Sequence, residues 1–312
     1  VSSPLVCVVT GYGINADEEL ALAFRMAGAV ARRVHAGDLV ADPGMLRRFD
    51  ILALPGGFSF GDHLGSGKVL AHLLRRALRP AIEEFVVSGG LLIGICNGFQ
   101  VLVKMGLLPN LAARWEPEVS LVHNASGVFE DRWVRLAFDP ASPCVWTRGI
   151  AAMDVPVRHG EGRFVTADDR VLAELHAAHL AAARYVPRDG SAGAAAYPDN
   201  PNGSVDGIAG ITDRTGRVFG LMPHPEAFLF CENHPEWTRS HGRLEVGRDM
   251  DVGRPTRSHG RLEVGRDMDV GRPTRSRPLG PAAGQGDGLA IFRAGVRAAR
   301  SARRAAARSV TR

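Results

Sequence analysis

Apolar and polar positions fall into two textures along the chain. Residues 4–11, Pro-Leu-Val-Cys-Val-Val-Thr-Gly, form an apolar run rich in β-branched side chains and closed by glycine, and residues 50–54 and 91–95 are shorter runs of the same kind. Runs without alternation predict strands buried on both faces. Asn15-Ala16-Asp17-Glu18-Glu19 predicts the cap and acidic first turn of a helix reaching about residue 30. Helical spacing recurs near 65–86 and 98–107. Buried strands alternating with helices predict an α/β fold whose parallel sheet is covered on both faces.

From about 118 to 222 the segments shorten. Strands are expected at 133–138 and 154–157, a helix near 168–181, and a hairpin of 207–212 with 217–221 around Asp213-Arg214-Thr215-Gly216. These predict strands added antiparallel to the parallel sheet. Residues 240–257 and 258–275 are identical copies of SHGRLEVGRDMDVGRPTR. Two units are too few for a solenoid, and their Gly, Arg and Asp content cannot offset the entropy of ordering, so a mobile loop is expected. The domain organisation follows: a catalytic domain over 1–239, the duplicated insertion over 240–275, and over 276–312 a closing helix with an arginine-rich tail.

Composition changes the picture once the net charge of +5 is apportioned. Residues 276–312 hold eight arginines against the single acid Asp287, a local charge of +7, and the repeat carries +2, which leaves residues 1–239 at −4. The basic character belongs to the tail, and the body is mildly acidic. No apolar run approaches the roughly 18 residues that span a bilayer, and Val1-Ser2-Ser3-Pro4 lacks the basic segment of a secretory signal, so the cytoplasm is the expected location. Cys7, Cys96, Cys144 and Cys231 are widely separated, which argues against a disulfide framework or a metal site.

Of these cysteines Cys96 stands apart. The predicted strand 91–95 runs into Gly94-Ile95-Cys96-Asn97-Gly98 and then into a helix, the layout of a nucleophile elbow. A sharp strand-to-helix turn needs small flanking residues, and the helix N-terminus favours a thiolate. Downstream, His224-Pro225-Glu226 follows the second strand of the hairpin. An imidazole can move the thiol proton while a carboxylate orients it, and a spacing of two puts both side chains on one side of an extended segment. The same tripeptide recurs as His234-Pro235-Glu236, but with no strand before it, and is expected to be structural. Pro55-Gly56-Gly57-Phe58 closes another strand, and a glycine N–H there with that of Asn97 can form an oxyanion site. Gly65-Ser66-Gly67-Lys68 does not complete a phosphate loop, because Asp62 stands where a glycine is needed and Val69 where a magnesium-holding hydroxyl is needed. His159 and Arg163, in His-Gly-Glu-Gly-Arg-Phe, are candidates for a substrate pocket or partner surface, against a solvated glycine turn.

With these motifs in place the sequence resembles the class I (triad-type) glutamine amidotransferases, most closely the glutaminase subunits of phosphoribosylformylglycinamidine synthases. The resemblance is carried by Gly11-Tyr-Gly-Ile-Asn-Ala-Asp-Glu-Glu, Pro55-Gly-Gly-Phe-Ser-Phe-Gly-Asp, Gly94-Ile-Cys-Asn-Gly-Phe-Gln, His159-Gly-Glu-Gly-Arg-Phe, Tyr197-Pro-Asp-Asn-Pro-Asn-Gly-Ser and Met222-Pro-His-Pro-Glu. It spans nearly all of 4–239 and residues 287–296; the repeat and the tail depart from it. It implies a flavodoxin-like fold. It also implies Cys96 as nucleophile, His224 as general base and acid, Glu226 as its orienter, Gly57 and Asn97 as oxyanion donors, and Gln100 as a glutamine contact. The implied reaction releases ammonia from glutamine through a thioester and passes it to a synthetase subunit, in a complex that can include a small bridging subunit. No cofactor is expected in this chain; ATP and magnesium are expected in the synthetase, which aminates formylglycinamide ribonucleotide. Two other classes remain open at this stage. A free-standing thiol hydrolase of γ-glutamyl substrates would need no partner. A nucleic-acid-binding protein would use the arginine tail, which lacks aromatic residues for stacking and reads as a solvated helix.

Overall fold

The computed structural model describes residues 2–191, 193–240 and 284–310. The chain forms two compact units, Val1–Leu229 with Asp287–Arg312, and Phe230–Gly286. Apart from Ser240, the duplicated segment lies outside the described residues.

The first unit opens β1 (Leu5–Thr10), α1 (Asp17–Met26), β2 (Val30–His35), α2 (Ala36–Ala41), β3 (Ile51–Leu54), α3 (Lys68–Val87), β4 (Leu91–Ile95) and α4 (Asn97–Lys104). It continues through β5 (Val119–His123), β6 (Glu130–Phe138), β7 (Ala152–His159), β8 (Glu161–Thr166), α5 (Asp169–Ala177), β9 (Ala183–Val186), β10 (Ile208–Thr212) and β11 (Val218–Leu221). One sheet runs β2-β1-β3-β4-β11-β10-β9-β6-β7, and β5 pairs with β8 in a second. From β2 to β11 every pairing is parallel, and from β11 to β7 every pairing is antiparallel. The α/β sheet with added antiparallel strands is therefore present.

Burial explains the parallel half. Leu52, Leu54 and Leu92 meet Leu74, Leu78 and Ile82 of α3, and Leu102 of α4, around a small void. The intervening Ile51, Ala53, Ile93 and Ile95 are just as deeply buried, so the strands are covered from both sides. Two differences from the sequence reading stand out. The first helix stops at Met26, with Ala16 at its N-cap making no side-chain cap, and Gly28 at φ +88° turns the chain into β2. β2 is an edge strand, Val-Ala-Arg-Arg-Val-His, too polar to show an apolar run. The second difference concerns the hairpin: β10 is antiparallel to β11, but β11 is itself parallel to β4. β5, β8 and β9 are short, half-buried and unforeseen.

After the second unit the chain returns as α7 (Leu289–Val310). Phe292 packs edge-on against Phe24 of α1 at 5.2 Å, and Phe24 also meets Trp146. Removing one such aromatic from a core costs about 3–5 kcal/mol. Two arginines of the tail hold this helix to the sheet rather than facing solvent. Arg300 donates to the Gly28 carbonyl at 2.7 Å, and Arg303 meets Asp50 at 2.5 Å and the Ser2 hydroxyl at 2.8 Å. The second unit contains a 3-10 turn (Cys231–Asn233), α6 (Trp237–Ser240) and a bridge between Phe230 and Gln285. No helix among the described residues is long and apolar enough to cross a membrane.

Candidate active site

Three neighbouring parallel strands, β3, β4 and β11, deliver the key residues. Each ends at the same edge of the sheet, where α/β folds place their sites. β4 leads into Cys96 at the N-cap of α4, β3 into Gly56-Gly57, and β11 into Met222-Pro223-His224. The Cys96 N–H donates to the Leu221 carbonyl at 2.8 Å, which ties the elbow to the end of β11. His224 is anchored in turn by its N–H on the Pro156 carbonyl of β7, also at 2.8 Å.

The elbow is strained in the way its sequence demands. Cys96 has φ 49° and ψ −106°, a region costing a non-glycine residue about 1–3 kcal/mol. A Cβ at Gly94 would stand 2.6 Å from the Gly98 carbonyl, and one at Gly98 would collide with the Leu54 carbonyl. Only glycine lets α4 approach the sheet closely enough. Position Gly56 shows how near the partners are, since a Cβ there would lie 2.8 Å from the His224 ring and 3.5 Å from Cys96 Cβ.

His224 Nδ1 and Glu226 Oε1 are 2.6 Å apart, both buried. Their alignment comes from a 3-10 turn over Pro225–Ala227 rather than from an extended segment, which corrects the geometry expected from spacing alone. Burial by itself would lower the imidazole pKa, but the Glu226 carboxylate and Cys96 outweigh it and push it up to about 10. Four buried side-chain polar atoms among the described residues lack a hydrogen-bond partner, and two belong to this pair, His224 Nε2 and Glu226 Oε2. Orphaned polar atoms are rare in folded proteins, and here one of them is the ring nitrogen left free to carry a proton. Burial pushes the thiols of Cys7 and Cys144 up to about 12 and about 11.

A cavity of about 310 Å³ opens onto Cys96, lined also by Gly57, Phe58, Phe129, Arg158, His224, Glu226 and Glu19. Gly57 has φ +147° and a Cβ there would press on the Ile14–Asn15 backbone, so its peptide is held in one orientation. Asn97, the first residue of α4, presents an N–H that has no partner within the helix by position. Gly57 lines the cavity, whereas Asn97, although next to Cys96 in the chain, does not. Gln100, expected to contact substrate, is not among the cavity-lining residues. Its carboxamide is spanned by the Asn97 side chain at 3.0 Å and the Glu161 carbonyl at 2.5 Å, so it braces the first turn of α4 against β8.

His159 and Arg163 do not line this cavity either. His159 is buried between Asn124, whose Oδ1 is 3.1 Å from Nδ1, and Asn202, whose Nδ2 is 3.5 Å from Nε2. Burial, with the charge of His224 adding to it, lowers its pKa to about 3, so it is a neutral core imidazole. Successive strand side chains alternate, and it is Arg158, one residue earlier on β7, that faces the cavity. Sequence reasoning passed over Arg158 and took Glu19 only as a helix-terminal acid. In the second unit His234 Nδ1 accepts the Glu236 N–H at 3.1 Å, a local turn bond unlike the His224–Glu226 contact. No group of three or more metal-binding side chains occurs among the described residues.

Comparison with known proteins identifies the family. The CobB/CobQ-like glutamine amidotransferase domain matches residues 3–255. The chain is 45% identical over 240 residues to the phosphoribosylformylglycinamidine synthase subunit PurQ of Dehalococcoides mccartyi, covering 77% of this chain and 91% of that one. Identity to the PurQ subunit of Methanococcus maripaludis is 42% over 235 residues, covering 75% and 86%. Among solved structures, a chain of PurLQS from Thermotoga maritima is similar with a TM-score of 0.55 and 32% identity, over 72% of this chain and 89% of that one.

Proposed function

The chain belongs to the CobB/CobQ-like glutamine amidotransferase family, and on that premise we propose that it is the glutaminase subunit of a phosphoribosylformylglycinamidine synthase. It hydrolyses glutamine and supplies the ammonia to a synthetase subunit that converts formylglycinamide ribonucleotide to the amidine in purine biosynthesis. The relatives named as subunits of that synthase and the similarity to PurLQS support the partner. Phe58 and Phe129, large and about half exposed at the cavity mouth, are apolar surface of the kind a partner covers. ATP and magnesium belong to the synthetase in this reading, and the cytoplasm is the location.

The observation that carries the chemistry is the buried Cys96–His224–Glu226 array at the ends of β4 and β11. The Cys96 thiolate attacks the γ-carboxamide carbon of glutamine, and N–H groups of Gly57 and Asn97 receive the charge on oxygen. The imidazolium of His224 gives its proton to the departing amine, so the C–N bond breaks as ammonia leaves. Water then attacks the thioester and gives a proton to His224, and the C–S bond breaks to release glutamate and restore the Cys96 thiolate beside the imidazolium. Glu226 holds the ring and stabilises its charged form.

Glutamate release from glutamine, measured with and without the synthetase subunit and its ribonucleotide, tests the reading. Faster turnover with the partner is expected, and Cys96→Ala should lower it by about 10⁵-fold or more. Retained turnover in that variant would sink the mechanism.

A further inference from the structure

A second cavity, of about 680 Å³, shares no lining residue with the one beside Cys96. Its size is that of a small-molecule site. Lys68, His72 and Arg75, spaced i, i+4 and i+7 along α3, line it from one helix face. Lys104 at the end of α4 and His123 at the end of β5 join them, and the acid among the lining residues is Glu161. This clustering runs against the rest of the body, since residues 1–239 carry −4 overall. Elsewhere on α3 the cations are matched by acids: Arg79 pairs with Glu83, and Glu84 pairs with Arg47. Lys68, His72, Arg75 and His123 have no ion-pair partner among the described residues. Lys104 is partly buried and donates to the Ser66 carbonyl at 2.6 Å. Burial lowers its pKa, with the charge of Lys68 adding to it, against the opposing pull of Glu161 and Asp62.

Lys68 closes Gly65-Ser66-Gly67-Lys68, the segment that does not complete a phosphate loop, and the structure adds a second reason. The N–H groups such a loop would aim at phosphate are already taken, that of Ser66 by the Glu161 carboxylate at 3.2 Å and that of Gly67 by Asp62 at 3.3 Å. An anion here has to be held by side chains. Lys68, Arg75 and Lys104 against Glu161 leave the cavity a formal +2 with both histidines neutral. A phosphate monoester carries a charge of about −2 near pH 7. Val69, Pro117, Leu121 and Val122 supply an apolar wall beside these cations. We propose that this cavity binds a nucleoside monophosphate, with its phosphate on Lys68, Arg75 and Lys104 and its base against the apolar wall. A cleft lined by one sign of charge concentrates such an anion, and each charge-assisted hydrogen bond to it is stronger than a neutral one. Such a site is independent of the chemistry at Cys96.

Isothermal titration of the full chain with adenosine monophosphate, adenosine and inorganic phosphate separates the charged wall from the apolar one. Adenosine monophosphate should saturate a single site, and the two fragments should each bind at least about 10-fold more weakly, as expected when one charge-assisted contact or the apolar burial is lost. Lys68→Met and Arg75→Met should each weaken adenosine monophosphate by about 10- to 100-fold, while leaving adenosine within about 2-fold. Arg76→Met is the control for net charge, because Arg76 lies on α3 but does not line the cavity, and it should change the affinity by less than about 2-fold. Unchanged circular dichroism spectra show that the variants are folded. Failure of adenosine monophosphate to saturate the chain overturns the site. An equal loss in all three variants also overturns it, since that is a general charge effect. Adenosine or inorganic phosphate binding as tightly as adenosine monophosphate would overturn the choice of ligand, because one wall would then suffice.

Discussion

His224 and His159 are two buried imidazoles that repel each other when charged, and the fold drives them in opposite directions. His224, at the end of β11, faces the Glu226 carboxylate and Cys96 and is held protonated, up to about 10. His159, at the end of β7, meets only the neutral amides of Asn124 and Asn202, and burial with the His224 charge brings it down to about 3. Burial disfavours the charged ring in both cases. What differs is whether a carboxylate lies within hydrogen-bond reach, which decides which imidazole carries a proton at neutral pH and which is packing.

The comparison can be broken most strongly at its charged end. Glu226→Gln keeps the size of the side chain but removes the charge that sustains the imidazolium, and kcat should fall by about 10²- to 10⁴-fold. The alkaline limb of the rate profile should also move down from about pH 10. Because the folded pKa of His224 lies above its ordinary value of 6.5, its contribution to stability is fully present below about pH 6.5 and is lost as pH rises through about 10. The variant should lack that alkaline loss in a denaturation series; an unchanged profile would mean that Glu226 does not set the charge of His224.

At the neutral end the sign reverses. Between about pH 6.5 and about pH 3 the unfolded chain protonates His159 and the folded protein does not, so stability falls as the solution is made more acid. One such group contributes about 1.4 kcal/mol per pH unit. His159→Gln should flatten the urea-measured stability slope in that window by about this amount, and an unaltered slope would show that His159 is not held neutral. The smallest effect is expected from His234→Ala. Its tripeptide matches the one at His224, but the ring is used in a local turn, so glutamine hydrolysis should change by less than about 2-fold. A loss comparable to that of Glu226→Gln would mean the two copies had been assigned the wrong way round.

Much of the parallel half was legible beforehand because a strand buried on both faces must be apolar throughout, as β1, β3 and β4 are. β2 escaped notice as a polar edge strand, and β5, β8 and β9 because short half-buried strands leave little pattern. The elbow at Cys96 was readable for a related reason. A strained turn pressed against the Leu54 carbonyl tolerates only glycine at Gly98, and that constraint is written locally.

Chain order and local sterics thus determined that Cys96 sits on an elbow, that His224-Pro225-Glu226 follows a strand, and that glycines close β3. Whether these meet depended on strand order. β11 had to enter the sheet beside β4, across the 122 residues between Ile95 and Val218, for His224 to come beside Cys96. The direction of neighbouring side chains on β7 was decided at the same level: a strand alternates its faces, and only its place in the sheet says which face is the cavity. That is why the motif pointed to His159, while the tertiary structure turned Arg158 toward the cavity beside Cys96 and His159 into the core.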